Sequence, residues 1–382
     1  MQTARRIASV SEYYFSKKLR EVRGLASQGH PIINMGIGSP DLAPPEAVVE
    51  ALQRGLTHAN AHKYQSYQGL PELRQAMADF YQKQYGVGLN PDNQVLPLMG
   101  SKEGIMHISM AFLNAGDQVL IPNPGYPTYS SVTRLVEAEA VYYDLDAEND
   151  WLPDFEALSR QDLSKVKLMW VNYPHMPTGA RGNIELFADL VAFAKAHNIL
   201  VINDNPYSFI LNDAPESLLA ADPNFSNVME LNSLSKAFNM AGWRVGMLSG
   251  SADNIAHVLK VKSNMDSGMF YGLQQGAIAA LQQPQSWFDG INAVYKERRE
   301  LLWELATRLG CTFDRQTAGM FVWAKLPEGS PDSESFIDKV LHEQHVFITP
   351  GTIFGSAGAG YIRFSLCVPV EQIEEAISRW KA

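Results

Sequence analysis

An α/β fold is the class this sequence predicts: a large domain around a mostly parallel central sheet flanked by helices, plus a smaller α+β domain. Three observations predict it. The chain has 382 residues, more than a single core usually supports, so two domains sharing a cleft are expected. Hydrophobic residues make up 46% and aromatic residues 10%, enough to fill a large core. From about Glu46 to Leu281 short apolar bursts alternate with longer segments of helical period, and after Gln285 that alternation stops.

The elements follow in chain order. KEGIMHISMAFL reads as a helix that begins at Ser101 and Lys102. KLMWVNYP, ILVINDNPY, NVMELNSLSK and RVGMLSG read as strands. Between the first two lies IELFADLVAFAKAHN, whose Phe187, Leu190, Val191 and Ala194 share one helix face, which completes a βαβ unit. Such units need a buried, mostly parallel sheet, so ligands are expected beyond the carboxyl ends of its strands. SWFDGINAVYKERRELLWELATRLG is a long helix with Ile291, Val294, Leu301, Leu302 and Leu305 as apolar positions and Gly310 as its stop. MFVWAKL, HVFITPG and YIRFSLCV then read as strands with a closing helix. With a hinge at Gln282 to Gln285, which contains Pro284, the expected division is residues 46–282 for the large domain and 1–45 with 283–382 for the small one.

Charge and composition exclude several classes. Lysine and arginine total 31 against 41 acidic residues, a net charge of −10, so no basic stripe is available for nucleic acid. An anionic small molecule stays open, because a cleft can be locally positive within an acidic protein. Cys311 and Cys367 stand alone, without metal or disulfide spacing. MQTARRIASVSEYYFSKKLR has no apolar run, and no stretch approaches the roughly 20 apolar residues of a spanning helix, so a cytoplasmic protein without a membrane partner is expected. GIGSPD lacks the third glycine of a dinucleotide fingerprint, and neither a Walker loop nor a nucleophile elbow occurs. His342 and His345 have no third ligand nearby in sequence and read as a solvated face, so no metal is expected.

The chemistry concentrates at two strand ends. Ser233, Ser235, Lys236 and Arg244 combine hydroxyls and a guanidinium, which suit a phosphate, with a lysine able to form an imine with an aldehyde. Phosphate and aldehyde on one small molecule suggest pyridoxal 5'-phosphate. Asp204 could face its pyridine nitrogen, and Tyr207 its phenolic oxygen. Lys236 alone would pass for a surface lysine; the combination carries the argument.

These residues carry a resemblance. SLSKAFNMAGWRVG is similar to the cofactor-lysine signature of class I/II, fold-type I aminotransferases, and INMGIGSPDLAPP, KYQSYQGLPELRQAM, NPGYPTY, MPTG and YIRFSL resemble the family's other signatures in the same order. Within the family, MGSKEGIMH, KVKSNMDSGMF, YKERREL and ITPGTIFGSAGAGYIRFSL resemble most the LL-diaminopimelate aminotransferases. The resemblance implies an aminotransferase that moves an amino group from an amino acid to a 2-oxo acid, with diaminopimelate or aspartate and glutamate as candidate substrates. It implies that Lys236 links covalently to the cofactor and shuttles the proton, that Asp204 pairs with the ring nitrogen and that Tyr207 donates to the phenolic oxygen. Tyr126 would stack on the ring, while Ser101, Lys102, Ser233, Ser235 and Arg244 would hold the phosphate. Arg363 would clamp the substrate carboxylate, with Gly38 allowing close backbone approach. Tyr64 and Asn264 match residues that reach a neighbouring subunit's site, which implies a homodimer, and Tyr13 matches a substrate-side residue.

One position departs from the family pattern. Met176 stands where an asparagine usually precedes Pro-Thr-Gly and donates to the phenolic oxygen. Losing that donor should raise the pKa of the lysine–cofactor imine. Three rival readings stay open or fall. Carbon–sulfur lyases and other amino-acid lyases share the cofactor residues, and Met265, Met269, Phe270 and Tyr271 leave room for aromatic or methionine-like substrates. A transcription regulator on this fold would need an added DNA-binding domain, for which the segment before Gly36 is too short.

Overall fold

The run VKLMWV forms β5 (Val166–Val171), buried at five of its six positions, as a strand covered on both faces must be. Around it the computed structural model, which describes residues 2–10 and 14–380, builds a seven-stranded sheet. Its members are β2 (Val95–Leu98), β3 (Gln118–Asn123), β4 (Glu139–Asp144), β5, β6 (Leu200–Asp204), β7 (Val228–Ser233) and β8 (Gly246–Gly250), in the order β2-β8-β7-β6-β5-β3-β4. Pairs from β7 through β4 are parallel, whereas β8 runs antiparallel to both β7 and β2. RVGMLSG forms the expected strand, and its antiparallel sense makes the sheet mixed rather than wholly parallel. The link from β7 to β8 holds only a single-turn helix, Leu234–Ala237, and short turns, so the chain doubles back instead of crossing the sheet.

Helices cover both faces. Those used below are α1 (Tyr14–Ser27), α2 (Glu46–Leu56), α3 (Pro71–Tyr85), α4 (Ser101–Phe112), α5 (Pro127–Leu135), α6 (Phe155–Ser159), α7 (Ile184–His197), α8 (Leu234–Ala237), α9 (Ala252–Lys262), α10 (Tyr271–Leu281), α11 (Gln285–Arg308), α12 (Ser333–Gln344) and α13 (Val370–Arg379). The βαβ helix α7 starts where the Asn183 side chain accepts from the Leu186 amide and ends on Asn198 in the left-handed region. Its Phe187, Leu190, Val191 and Ala194 are all buried. The long helix α11 stops at Arg308, two residues before Gly310 at φ +74°. Two buried clusters result, and residues alternate between them along the strands: Leu168 and Trp170 of β5 belong to one, Met169 and Val171 to the other.

The C-terminal part adds the antiparallel sheet β12-β13-β10-β9, made of Thr349–Pro350, Tyr361–Ser365, Phe321–Lys325 and Thr312–Phe313. The expected strand HVFITPG is broken at Ile348 into β11 (Val346–Phe347) and β12. β11 pairs in parallel with β1 (Ile33–Asn34), which joins the N-terminal segment to the C-terminal part. Two ion-pair sets strengthen that junction. Arg298 of α11, buried, bonds both carboxylate oxygens of Asp41 at 2.7 and 2.8 Å, and Lys18 of α1 bridges Glu21 and Asp338 of α12. His345 caps α12 at φ +56° and packs at a tilt against His30, while His342 faces Glu21, so the two histidines do not form a ligand pair. Among the described residues no helix is long and apolar enough to cross a membrane.

Candidate active site

The carboxyl ends of β2, β3, β5, β6 and β7 open into one cavity of about 630 Å³. β2 delivers Ser101 and Lys102, β3 delivers Tyr126, β5 delivers Asn172, β6 delivers Asp204 and Tyr207, and β7 delivers Ser233, Ser235 and Lys236. Arg244 enters from the β7–β8 link and Arg363 from β13. Of the cofactor and substrate residues expected from sequence, all of these and Gly38 line the cavity. Tyr64 and Asn264 do not; Tyr64 is 91% exposed and Asn264 is exposed as well. Tyr13 lies outside the described residues.

The anion end is set by backbone geometry. Gly100 precedes α4 at φ +93°, and a Cβ there would lie 2.2 Å from Nη2 of Arg244, so only glycine admits the guanidinium. Arg244 itself sits at φ +56° and donates Nη1 to the Ala241 carbonyl. Its other nitrogens therefore approach the amino end of α4, where hydroxyls of Ser101, Ser233 and Ser235 and the amine of Lys102 also gather. This donor set and helix terminus suit a dianion.

In the middle stand Asp204 and Lys236. Asp204 Oδ2 accepts from the Tyr129 hydroxyl at 2.9 Å, and Oδ1 is buried with no partner among the described residues. Burial pushes its carboxyl up to about 6, against the Tyr129 bond and the Lys236 charge, which pull it down. Tyr129 is fixed in turn by stacking on Trp170 at 5.0 Å. Lys236 Nζ donates to the Gly38 carbonyl at 2.6 Å. Burial lowers its pKa, and the charges of Arg363 and Arg244 push the same way, while Cys367 and Asp204 oppose them. That direction favours the unprotonated amine, the form a nucleophile or base uses. Tyr207 is buried edge-on to Phe321, and burial raises its phenol well above 10, so it stays a proton donor.

At the far end Arg363, 4% exposed, lies with its Cζ 4.0 Å from the Phe321 ring centroid and 4.6 Å from that of Phe354. Nη2 donates to the Gly36 carbonyl at 2.9 Å, and Nη1 contacts Met176 Sδ at 3.3 Å. A Cβ on Gly38 would lie 2.5 Å from Phe321 Cζ, so this glycine is also required by the ring that holds Arg363. The Asn172 amide nitrogen donates to the Asp204 carbonyl and its oxygen accepts from the Met176 amide at 2.8 Å. His175 is turned to Thr178 at 2.8 Å, and burial lowers it to about 3.

Sequence reasoning missed Tyr129, Phe15, Leu19, Ile37, Phe321 and Phe354. Tyr129 had a signal, because it follows Tyr126 by three residues in GYPTY and so lies one turn along α5. The aromatic partners of Arg363 come from three distant segments and had none. A separate group, Glu103, His107 and Asp266, has ligand atoms within 4.8 Å of one another. Lys262 Nζ already bonds both Asp266 oxygens at 3.0 and 2.8 Å, which supplies the cation there.

Comparison with known proteins agrees with this geometry. The family described as Aminotransferase class I and II matches residues 30–379. An LL-diaminopimelate aminotransferase of Dehalococcoides mccartyi (strain ATCC BAA-2266 / KCTC 15142 / 195) is 43% identical, over 99% of this chain and 98% of its own length, and one of Aquifex aeolicus is 38% identical over 98% and 97%. Among solved structures, substrate-bound BacF of Bacillus subtilis superposes with a TM-score of 0.95 at 37% identity over 99% of this chain and 97% of its own. A single mutant of Thermus thermophilus aspartate aminotransferase gives 0.92 at 26% identity, over 99% and 98%. A family match across the chain, a mixed and mostly parallel sheet flanked by helices, and a lysine and arginine facing one cleft leave one assignment: the chain belongs to the class I and II aminotransferases of fold type I.

Proposed function

We propose that this aminotransferase carries pyridoxal 5'-phosphate on Lys236 and moves the amino group of an amino acid to a 2-oxo acid. The observation that carries the reading is Asp204 Oδ1, buried and unpartnered beside the lysine, with the carboxyl raised to about 6. A protonated ring nitrogen is the partner such an oxygen lacks. When bound, the cofactor supplies an aldehyde to receive the amino group and a ring that accepts the electrons of the broken Cα–H bond.

The residues divide that work. Asp204, oriented by Tyr129, holds the proton on the ring nitrogen, and Tyr207 donates to the phenolic oxygen. Tyr126 would lie against the ring, and Ser101, Lys102, Ser233, Ser235 and Arg244, which line the same cavity, would hold the phosphate. Lys236 Nζ would serve as the base that takes the proton from the substrate Cα and as the acid that gives it back, a task its lowered pKa favours. Arg363 receives the α-carboxylate between two aromatic faces, which keep water from the ion pair.

The functional unit in this reading is a homodimer in the cytoplasm. Tyr64, Tyr67, Met265 and Phe270 are large exposed apolar side chains, and their two loops touch: a Cβ on Gly268 would lie 2.5 Å from the Gln65 carbonyl oxygen. Covering that surface with a second copy would carry Tyr64 and Asn264 toward the partner's cleft, with Tyr13 on the substrate side. The large unit is residues 46–282 and the small unit 1–45 with 283–382, with the cleft between them.

Incubating the purified protein with the cofactor, a panel of donors and 2-oxoglutarate tests the reading. Glutamate formation is expected, with Lys236→Ala slower by at least about 10³-fold. LL-diaminopimelate, the substrate named in the relatives, is the reference donor. Release of ammonia, sulfide or carbon dioxide without glutamate would instead assign a lyase.

A further inference from the structure

β2 hands the chain to α4 through Met99 and Gly100, and this turn presents the anion end of the cleft. Glycine at the start of α4 admits Arg244 but brings no side chain to fix the turn, and the helix has no side-chain cap there. Glu103, in the first turn of α4, takes over that task. Its Oε2 accepts from the Met99 amide at 2.6 Å, one residue further back than in a capping box, so the carboxylate ties the helix to the end of the strand. The other oxygen, Oε1, lies 3.1 Å from Nε2 of His107, whose side chain is buried. Asp266 stands within 4.8 Å of both and is held in turn by Lys262 and by the Gly268 amide. The turn also rests on Gly246 of β8, where a Cβ would lie 2.7 Å from the Ser101 amide nitrogen.

We infer that Glu103 is a positioning residue of the anion site: its bond to Met99 holds Ser101 and the first amides of α4 toward the cleft, while its charge opposes the anion they would bind. The inference rests on the reading that this end takes the cofactor phosphate. One side chain thus acts in two opposite directions. A carboxylate in the first helical turn draws on the same partial positive charge that a phosphate would use, so the charge weakens anion binding. The bond to Met99 fixes the donors before the anion arrives, which removes part of their ordering cost and strengthens binding. Conservative substitutions separate the two. Glutamine keeps the length and an oxygen acceptor without the charge; aspartate keeps the charge but is one methylene shorter, which draws its oxygens back from the Met99 amide.

The test uses the full-length chain, stripped of cofactor and reloaded with two probes. Equilibrium dialysis gives the dissociation constant of pyridoxal 5'-phosphate, and calorimetric titration gives that of inorganic phosphate. Glu103→Asp should raise both constants about fivefold, the weight of one typical hydrogen bond. Glu103→Gln should leave both equal to the wild-type values or below them. A role through charge alone predicts wild-type constants in Glu103→Asp, and a role in folding alone predicts lower melting temperatures with both constants unmoved; either result overturns the inference. So does equal weakening in the two variants, which would make the charge itself the helpful part. Should the wild type take inorganic phosphate but not the cofactor, the cofactor reading fails on its own, and the phosphate series still decides the role of Glu103. A wild type that takes neither probe overturns both.

Discussion

At one end of the cleft an anion site is assembled from hydroxyls, a helix terminus and an arginine seated against Gly100. At the other, a guanidinium lies between the faces of Phe321 and Phe354, with a thioether at its edge. The first end uses several donors of modest strength at fixed backbone positions. The second uses a single buried cation whose position depends on packing. A phosphate, the group proposed for this end, has many oxygens to satisfy, so redundancy would serve it. A substrate carboxylate must arrive and leave, and one preorganised fork suffices. Asp204 and Lys236 stand between the two, and substitution there should have the largest effect of all.

On the proposed reading Asp204→Asn removes the charge that would face the ring nitrogen, and catalysis should fall by at least about 10²-fold, the usual consequence of deleting a preorganised electrostatic group. The cofactor-free protein should respond in the opposite sense. Folding raises this carboxyl from 3.8 to about 6, so its ionised form is disfavoured in the native state. The cost begins as pH rises past 3.8, is complete above about 6, and amounts to an order-of-magnitude 3 kcal/mol. Cofactor-free Asp204→Asn should therefore unfold at a higher temperature than cofactor-free wild type at pH 7.5, and the gap should close near pH 4. Thermal melts at the two pH values decide it; a less stable variant at pH 7.5 would place the carboxylate in a paired, favourable environment instead.

The two ends can next be broken separately. Gly100→Ala forces the Arg244 guanidinium aside, since the new methyl carbon would sit 2.2 Å from Nη2. The expected result is a cofactor dissociation constant higher by about tenfold or more, one lost charge-assisted contact, with donor KM little changed once the site is saturated. Arg363→Lys should do the reverse. It loses the planar fork and the aromatic stacking, so kcat/KM should fall by about 10²-fold for every carboxylate donor while cofactor retention is unchanged. Equilibrium dialysis of the cofactor and steady-state kinetics on both variants separate the effects. If each variant disturbed both quantities alike, the ends would be coupled and the division drawn above would be wrong.

The same contrast explains what could be read from the sequence. The anion end and the ring residues lie in short runs at strand ends, Gly100 to Lys102, Asp204 to Tyr207 and Ser233 to Arg244, where local spacing determines spatial neighbours. Those runs were legible, as were α7, α11 and strands β5, β6 and β7. The antiparallel sense of β8 was not, because an apolar burst has the same composition in either direction. Nor was the sandwich around Arg363, whose members Phe321 and Phe354 meet it only through sheet packing and tertiary closure. Met176 was visible as a departure, but its contact with Arg363 was not.

Met176 also gives the smallest and most specific of these effects. The phenolic oxygen of the cofactor has Tyr207 as its proposed donor, and an asparagine at position 176 would add a second. The neighbouring polar residues are partly committed: Asn172 bonds Asp204 and Met176, and His175 Nδ1 is turned to Thr178. A hydrogen bond to the ionised oxygen favours the state in which the adjoining nitrogen has lost its proton, so adding the donor should lower the midpoint of the bound cofactor's visible acid–base transition. One charge-assisted hydrogen bond, about 1.5 kcal/mol, corresponds to a drop of about one pH unit in Met176→Asn. Met176→Leu, which adds no donor, should leave the midpoint where it is. Spectrophotometric titration of the three holoenzymes reads this directly. An unchanged or higher midpoint in Met176→Asn would mean that position 176 serves Arg363 and the substrate alone, which would draw the boundary between the two ends of the cleft on the cofactor side of Met176.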